Sequence, residues 1–357
     1  MHSNVLFIAI IIVLIIIIVY GIAQKSRYCK ILETLESTFK VSLPRKEPLR
    51  NLTKNDLLKE RNYSEYKLEI DNIINRAYEL EDFGKDTKLS QSCNYATSSG
   101  KRIRSIVLSE IARMTSKQTG NVVDVADLIL FIEYIHCASL IIDDMPEFDN
   151  DETRRNKQSV HAKFGKASAQ MASLTLLTCA LQNFCRQIDW IKENSDIKNA
   201  DMIGMKIQSI VANSIGINGA CGGQLLEISP DDWKLYENII EKIAIQKTAS
   251  LFELAVGCGW LISGGGFDML NIMMVIGRKL GCAFQIADDI GDMQKDKSKV
   301  TKDRPDTNYA NMYGKDIALN DMEQHLRGVE LLLTRYELIS PLWKNEIFQM
   351  VRNMIST

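Results

Sequence analysis

The sequence lacks several patterns that mark common classes of protein. Its 357 residues include only 6 prolines, and no strand–turn–strand signal appears, which argues against a sandwich or barrel of short strands. The net charge of −2 gives no basic excess for binding nucleic acid. The 8 cysteines form no CxxC pair and no Cys/His cluster with zinc spacing. We therefore expect a reducing compartment, without a disulfide framework or a zinc site.

A long run without charge does occur, in "NVLFIAIIIVLIIIIVYGIA" at residues 4–23. About twenty apolar residues in a helix match the roughly 30 Å core of a bilayer, and the run is too long for the core of a signal peptide. Lys25, Arg27 and Lys30 follow it. We predict a membrane anchor within residues 1–24, with the rest of the chain on the cytoplasmic side. The alternative is a buried core helix.

The remainder divides into a polar segment and a long helical region. Residues 25–63 are charged, contain two prolines and show little periodicity, so we predict a tether there. From residue 64 to residue 357 the pattern is helical. "SEYKLEIDNIINRAYEL" has a 3.6-residue apolar stripe, and "VVDVADLILFIEYIHCASLII" is apolar on nearly every face. The expected fold is all-α, one large single-domain bundle of roughly ten helices.

An acidic cluster follows one of these apolar helices, in "SLIIDDMPEFDNDETRR". Its key acids are Asp143, Asp144 and Asp149. A spacing of six places Asp149 on the far side of a regular helix from Asp143. Pro146 has no N–H to continue the helix. We therefore predict a distortion that brings Asp149 back toward Asp143.

A second acidic cluster stands in "FQIADDIGDMQKD". Asp288 and Asp292 are four residues apart and share a helix face, with Asp289 beside them. Carboxylates this close to an apolar core require a positive partner, because burial and mutual repulsion both disfavour them. Magnesium ions with oxygen ligands meet that need, around a shared anion such as diphosphate. A single motif of this kind is often a solvated helix end; two, each after an apolar helix, favour a site.

Basic and polar residues near these acids could bind such an anion. Lys101 and Arg104 can share a helix face, although alone they would form an ordinary solvated cluster. A lone His136 would usually be a core residue, but it lies two helical turns before Asp143. Arginine forks suit phosphate oxygens. The candidates, in chain order, are Lys101, Arg104, His136, Arg154, Arg155, Lys247, Thr248 and Gln285.

Together these motifs resemble the trans-prenyltransferase (polyprenyl diphosphate synthase) family. The resemblance rests on "GKRIR", "DDMPEFD", "TRR", "KTASLF", "FQIADD" and "DDIGD", which occur in the family's order within about residues 65–315. Among family members, the stretch around the first acidic motif is most similar to geranylgeranyl diphosphate synthases. The resemblance implies a helix bundle of the isoprenoid synthase type, a homodimer, and an enzyme that uses Mg²⁺.

The resemblance also implies a role for each matching residue. The isopentenyl diphosphate site would consist of Lys101, Arg104, His136 and Arg155. The allylic diphosphate would be bound by Arg154, Lys247, Thr248, Gln285 and Lys302. The Mg²⁺ ligands would be Asp143, Asp144, Asp149, Asp288 and Asp292, and the resemblance counts Asp289 and Lys247 among the catalytic residues. Because Ala138 and Ser139 are small, the growing chain would pass them and reach C20, geranylgeranyl diphosphate.

Three departures and several alternatives accompany this interpretation. Ser105 stands where the family usually has Pro, and Glu227 where it usually has Asp. The segment after Asp292 is short, which leaves the role of Lys302 uncertain. The alternatives are a synthase of another chain length, a class I terpene synthase, a non-catalytic partner subunit, and a membrane-anchored helical scaffold. The complete "DDIGD" argues against the terpene synthase and the inactive subunit.

Overall fold

Helices form in the regions where the apolar pattern predicts them. The computed structural model describes residues 47–80, 83–84, 86–301 and 305–356; the predicted anchor at residues 4–23 and Lys302 lie outside them. The helices of the described part are α1 (Lys54–Leu58), α2 (Tyr63–Glu79), α3 (Lys88–Thr97), α4 (Ile103–Thr119), α5 (Ala126–Asp143), α6 (Val160–Phe164), α7 (Lys166–Asn194), α8 (Ala200–Ile215), α9 (Ala220–Glu227), α10 (Ile239–Ile243), α11 (Ser250–Ile262), α12 (Leu270–Lys299), α13 (Tyr309–Tyr313), α14 (Lys315–Arg335) and α15 (Phe348–Asn353).

One small sheet interrupts the expected all-helical order. Strands β1 (Thr153–Arg154) and β2 (Lys157–Gln158) pair antiparallel. The two residues between them, Arg155 and Asn156, both have positive φ, at 53° and 59°, which is the backbone of a two-residue hairpin turn. The hairpin is too short to show an alternating pattern in the sequence, and it departs from the prediction that no strands form.

The helix predicted to be central, α5, is buried along its length. The consecutive residues Leu128, Ile129 and Leu130, which point about 100° apart around the helix, are all fully buried, as its apolar composition requires. It packs along α7 and against α4. The first acidic motif therefore begins at the end of a helix that is held in place by the core of the bundle.

The second acidic motif lies on α12, which packs tightly against α11. A Cβ atom at Gly277 would lie 2.6 Å from the Cα of Glu253, and one at Gly281 would lie 2.4 Å from the Cα of Ala249. The lack of side chains at these glycines permits the close approach. The three glycines 264–266 lie between the two helices, at the turn that the sequence predicts.

Between α10 and α11 the helix continues through a π-helical turn, Ala244–Ala249. Such turns widen a helix locally by one residue and occur often at functional sites. This one contains the "QKTA" stretch and therefore sets the direction of Lys247 and Thr248. The sequence shows no sign of it.

The described part of the predicted tether lies against the helical body. Leu49 is buried, and the Arg50 guanidinium forms ion pairs with Glu69 and, at 2.6 Å, with Asp124. Helix α1 also falls within residues 25–63. The described residues form one compact unit.

Among the described residues, one helix is long and apolar enough to cross a membrane by length and composition. It is Leu270–Ser298, and 56% of its apolar window is buried inside the protein. It corresponds to α12, which packs on α11 and α14. Burial of this kind is typical of a core helix.

Candidate active site

Both acidic motifs line one cavity of about 960 Å³ inside the bundle. Asp143 and Asp149 approach it from the end of α5, and Asp288 and Asp292 from α12. A cavity of this size is within the range that encloses a small organic ligand. The helices thus bring together acids that are far apart in the sequence.

The first motif folds back on itself as the sequence suggests. Helix α5 ends at Asp143, three residues before Pro146, and the Asp149 N–H donates to the Asp143 carbonyl at 3.0 Å. This bond returns Asp149 to the side of Asp143. One carboxylate oxygen from each of Asp143, Asp149 and Glu227 lies within 4.8 Å of the others. We call these three residues the carboxylate cluster; their oxygens suit a hard divalent cation.

Glu227 reaches the cluster from α9, which sequence reasoning did not place at the site. A Cβ at Gly223 would lie 2.4 Å from the Lys247 backbone nitrogen, so only a glycine lets α9 approach the π-helical turn so closely. One residue later, Gln224 donates its side-chain N–H to Asp143 at 2.8 Å. In the sequence, Glu227 stands out only as a departure from the family pattern, and no local pattern marks Gln224.

Asp144 points away from the carboxylate cluster toward Arg154. The Arg154 Nε donates to its Oδ1 at 2.6 Å, and the second Arg154 nitrogen donates to Asp143 at 3.1 Å. Burial raises the pKa of Asp144 to about 6, against the lowering effect of Arg154. The described geometry therefore places Asp144 in an ion pair, whereas Asp149 and Glu227 stand beside Asp143.

Lys247 supplies the positive charge that the buried acids require. Its ammonium lies 3.0 Å from Asp143 and 2.6 Å from Glu227. Burial by itself would lower the pKa of Lys247, but the carboxylates of Asp143 and Glu227 outweigh it and raise the pKa above its usual value. Burial likewise would raise the pKa of Asp143, but Lys247 and Arg154 hold that pKa below 3.8. Both groups are thus charged at neutral pH.

The acids of the second motif lie in different environments. Asp288 is exposed to the cavity and Asp292 half-exposed. Although its side chain is open to the cavity, Asp288 is surrounded by protein, and this desolvation together with the charge of Asp292 raises its pKa. No ion pair between Asp288 and a basic side chain occurs among the described residues, whereas the Lys295 ammonium lies 3.7 Å from the Asp292 carboxylate.

Asp289 is almost entirely buried and has different partners. Its oxygens accept hydrogen bonds from the Tyr309 N–H at 2.8 Å and from Gln285 at 2.7 Å, and burial raises its pKa to about 8. Gln285 in turn accepts from the Thr248 hydroxyl at 2.5 Å. Thr248 and Gln285 thus line the cavity in contact with each other, and Asp289 fastens the following segment to α12.

That following segment, residues 305–309, connects the two acidic sides. Asn308 donates to the Asp289 carbonyl at 2.6 Å and to the Asp296 carboxylate at 2.8 Å. Next to it, the Thr307 hydroxyl lies 3.3 Å from a Glu227 oxygen. The chain after the second motif therefore touches the carboxylate cluster, in the region where the sequence offered only Lys302 as a candidate.

Four basic groups form a second polar region, which we call the basic cradle: Lys101, Arg104, His136 and Arg155. The Arg104 guanidinium lies 3.3 Å from His136 Nε2 and 4.6 Å from the centre of the Phe252 ring. Burial lowers the pKa of Arg104 to about 10 and, with the nearby Arg104 charge, lowers the pKa of His136 well below 6.5. Arg104 Nε and His136 Nδ1 are buried and have no hydrogen-bond partner among the described residues. Two unpaired nitrogen atoms in one pocket favour an anion there.

The hairpin directs its two arginines to different regions. Arg154 lies on β1 and binds Asp143 and Asp144, whereas Arg155, in the turn, donates to the Ser99 carbonyl. The Arg155 guanidinium also lies against Gly100, where a Cβ would come within 2.9 Å of it. The positive φ of Arg155, which is uncommon for a residue other than glycine, produces this divergence.

The rest of the cavity wall is apolar or small. On α5, Ala138 is buried and Ser139 donates its hydroxyl to the His136 carbonyl at 2.8 Å. Opposite, Ser173 on α7 donates to the Ala138 carbonyl at 3.0 Å. The remaining wall includes Leu140, Ile142, Leu177, Ile215 and Leu225. A cavity lined by both charged and apolar side chains fits an amphiphilic ligand.

Comparison with known proteins agrees with this geometry. The family of polyprenyl synthetases matches residues 86–320. A trans-prenyltransferase of African swine fever virus is 35% identical over 354 residues, 98% of either chain. A farnesyl diphosphate synthase of Micrococcus luteus is 30% identical over 232 residues, which are 65% of this chain and 75% of that protein.

The fold has close counterparts among solved structures. The apo structure of an FPP/GFPP synthase from Zymomonas mobilis superposes with a TM-score of 0.64 at 23% identity, covering 82% of this chain and 97% of that one. The predicted isoprenoid synthase type of helix bundle is therefore confirmed for the helical body. On its sequence and its fold together, this chain belongs to the polyprenyl synthetase family and is a trans-prenyltransferase.

Proposed function

We propose that the protein is a geranylgeranyl diphosphate synthase. It would condense isopentenyl diphosphate with dimethylallyl, geranyl or farnesyl diphosphate, releasing diphosphate and ending at the C20 product. The observation that supports this length is the small size of Ala138 and Ser139, which line the cavity on the turn before the first acidic motif. An aromatic side chain there would close the route along the wall, whereas these residues leave it open.

Magnesium would be bound by the acids at the polar end of the cavity. Asp143 and Asp149 with Glu227 on one side, and Asp288 and Asp292 on the other, offer the hard oxygen ligands that the ion prefers. Asp144 would join them only if Arg154 released it. Bound Mg²⁺ supplies positive charge that stabilises a departing diphosphate. Several ions per site would match the number of acids.

The protein's own residues would orient the two substrates and exclude water. The basic cradle would hold isopentenyl diphosphate, because Arg104 and His136 offer unpaired nitrogen atoms. Arg154 and Lys247 would contact the allylic diphosphate, with Thr248, Gln285 and Lys302 as further partners. The allylic C–O bond breaks, the isopentenyl double bond attacks the resulting cation to form a C–C bond, and a proton is lost to the released diphosphate.

Product analysis tests the proposed length. With labelled isopentenyl diphosphate and each allylic starter in turn, we expect chromatography to show a C20 product that depends on Mg²⁺ and disappears with EDTA. Replacing Ala138→Phe should shift the main product to C15, while the control Ser139→Ala should leave it at C20. Farnesyl diphosphate as the sole product of the wild-type enzyme would contradict the proposal, and an unchanged C20 product in the Phe variant would place the limit elsewhere.

Other family chemistries remain as alternatives with distinct readouts. A class I terpene synthase would convert an allylic diphosphate to a hydrocarbon without isopentenyl diphosphate. The basic cradle disfavours it, because a cyclising enzyme has no second diphosphate to bind. A synthase of farnesyl or longer products would differ only in the chromatogram. A scaffold would release no diphosphate with or without Mg²⁺.

We also propose that residues 4–23 anchor the enzyme in a membrane, with the helical body on the cytoplasmic side. The uncharged apolar run and the cations after it support this topology. Fractionation should find the full chain in membranes after a carbonate wash, and the chain without residues 1–24 in the supernatant. In sealed inside-out vesicles the cytoplasmic face of the membrane is on the outside, so added protease should digest the helical body. Full protection of the helical body in such vesicles would contradict the orientation.

A homodimer is the proposed assembly. Helix α7 exposes Met171, Leu174 and Leu181 on one stripe, and α8 exposes Met202 and Met205. Apolar side chains repeated at this spacing suit a packed helix–helix interface. Light scattering should give twice the chain mass, and Leu174→Glu should reduce it to the monomer. The control Leu331→Glu, which is 70% exposed on α14, should stay dimeric.

A further inference from the structure

Tyr63 contacts the basic cradle from a part of the chain that neither the motifs nor the family resemblance includes. It is the first residue of α2, at the end of the segment predicted as a tether. Its ring lines the cavity, and its hydroxyl donates to the backbone carbonyl of Lys101. Lys101 is the member of the basic cradle that has no side-chain hydrogen bond or ion pair among the described residues.

The loop that carries Lys101 is fastened by its own Arg102 and by side chains from two other elements. The Arg102 guanidinium donates to the Thr97 carbonyl at 2.6 Å, and Arg155 donates to the Ser99 carbonyl. Tyr63 holds the third carbonyl, that of Lys101. Because Gly100 and Arg102 both have positive φ, the loop lacks the regular hydrogen bonds of a helix. Its shape depends on these outside contacts.

The position of Tyr63 is in turn set independently of the loop. Asn62 and Glu65 form a reciprocal cap at the start of α2, which fixes the first turn of the helix. The Tyr63 N–H donates to the Glu346 carboxylate at 2.8 Å. Burial raises the pKa of the phenol to about 12, so the hydroxyl keeps its proton at neutral pH and remains a donor.

We propose that Tyr63 is a positioning residue for isopentenyl diphosphate, acting through the backbone of Lys101. The inference rests on the proposed function of the basic cradle. The hydroxyl holds the Lys101 peptide so that the ammonium faces the cavity beside Arg104. Without the hydroxyl the loop gains conformational freedom. Part of the binding free energy of isopentenyl diphosphate is then used to order the loop. Arg154 and Lys247 bond to Asp143, Asp144 and Glu227 and not to Tyr63 or Lys101, so the allylic site should be unaffected.

The test is Tyr63→Phe in the full-length enzyme, which removes only the hydroxyl. At saturating farnesyl diphosphate we expect the KM for isopentenyl diphosphate to rise about three- to tenfold, with kcat and the KM for farnesyl diphosphate unchanged. The matched control is Tyr78→Phe. Tyr78 is on the same helix, and its hydroxyl bonds to Asp86 at the surface, so this variant should match the wild type in both constants.

A double-mutant cycle with Lys101→Ala separates this inference from the proposed function. If Tyr63 acts through Lys101, the Phe substitution should change the KM little when the lysine side chain is already absent. An equal increase in both backgrounds, an unchanged KM for isopentenyl diphosphate, or an equal increase for both substrates would overturn the inference. If Lys101→Ala itself left that KM unchanged, the proposed role of the basic cradle would fail instead.

Discussion

The two sets of basic residues around the cavity differ in what they already bind. Lys247 and Arg154 form ion pairs with the acids of the first motif. In the basic cradle, Arg104 and His136 each have a buried nitrogen atom that no described residue hydrogen-bonds. Lys247 and Arg154 neutralise protein carboxylates. They can bind a substrate only when other cations, such as Mg²⁺, bind those carboxylates instead. The basic cradle is ready to receive an anion as it stands.

This contrast predicts that the two diphosphates depend differently on metal. Binding at the basic cradle should not require a metal, because Lys101 and Arg104 form no ion pair with a carboxylate among the described residues. Binding near Asp143 requires that added positive charge overcome the repulsion between carboxylates and diphosphate.

The largest effect is expected at the carboxylate cluster. Asp143→Asn removes a charge that Lys247, Arg154 and Gln224 all contact, and should lower kcat at least about 100-fold because a metal ligand contributes several kcal/mol. Initial rates at saturating substrates and Mg²⁺ measure it. Glu147→Gln is the control: this exposed acid of the same stretch pairs with Lys166 and should leave kcat unchanged. Comparable losses in both variants would contradict a specific role of the cluster.

A smaller, substrate-specific effect is expected at the basic cradle. Arg104→Gln should raise the KM for isopentenyl diphosphate about 10- to 100-fold, since hydrogen bonds from a charged donor contribute roughly 1.5–3 kcal/mol. The KM for the allylic substrate should not change. Arg154→Gln should raise the KM for the allylic substrate and leave the KM for isopentenyl diphosphate unchanged.

Calorimetry sharpens the same comparison without turnover. In EDTA, the wild-type protein should bind isopentenyl diphosphate but not an allylic diphosphate, and Arg104→Gln should bind isopentenyl diphosphate about 10- to 100-fold more weakly. If the allylic diphosphate bound equally well in EDTA and in Mg²⁺, the division between the two sets of basic residues would be wrong.

The smallest effect is expected at Asp289, although the family resemblance counts it as catalytic. Its carboxyl group holds the Tyr309 N–H and Gln285. Asp289→Asn keeps one acceptor and should lower the melting temperature by about 2 °C, the effect of about 1 kcal/mol in a domain of this size, with kcat within about fivefold. A loss of kcat as large as that of the neighbouring Asp292→Asn would instead make Asp289 a direct participant.

The sequence predicted those parts of the site that depend on short-range spacing. Asp288 and Asp292 four residues apart, and Pro146 between Asp144 and Asp149, each determine a local geometry that the structure contains. The helical class followed from apolar stripes in the same way. These features need only the helix period and the chemistry of proline.

What the sequence did not predict depends on contacts between distant elements. Glu227 and Gln224 reach Asp143 because Gly223 lets α9 approach the turn that carries Lys247. No local pattern shows such an approach. The two-residue strands are likewise too short for periodicity to be detected. The positive φ of Arg155 leaves no pattern in the sequence either.

The π-helical turn Ala244–Ala249 makes this part of the polypeptide sensitive to the deletion of a single residue. A widened turn contains one residue more than a regular helix of the same span, and each residue adds about 100° of rotation. Deleting one residue there would restore an ordinary helix and rotate everything before it relative to α11. The ammonium of Lys247 would then leave Asp143 and Glu227. A one-residue deletion in this turn should therefore be as harmful as the loss of the lysine, while α11 itself stays intact.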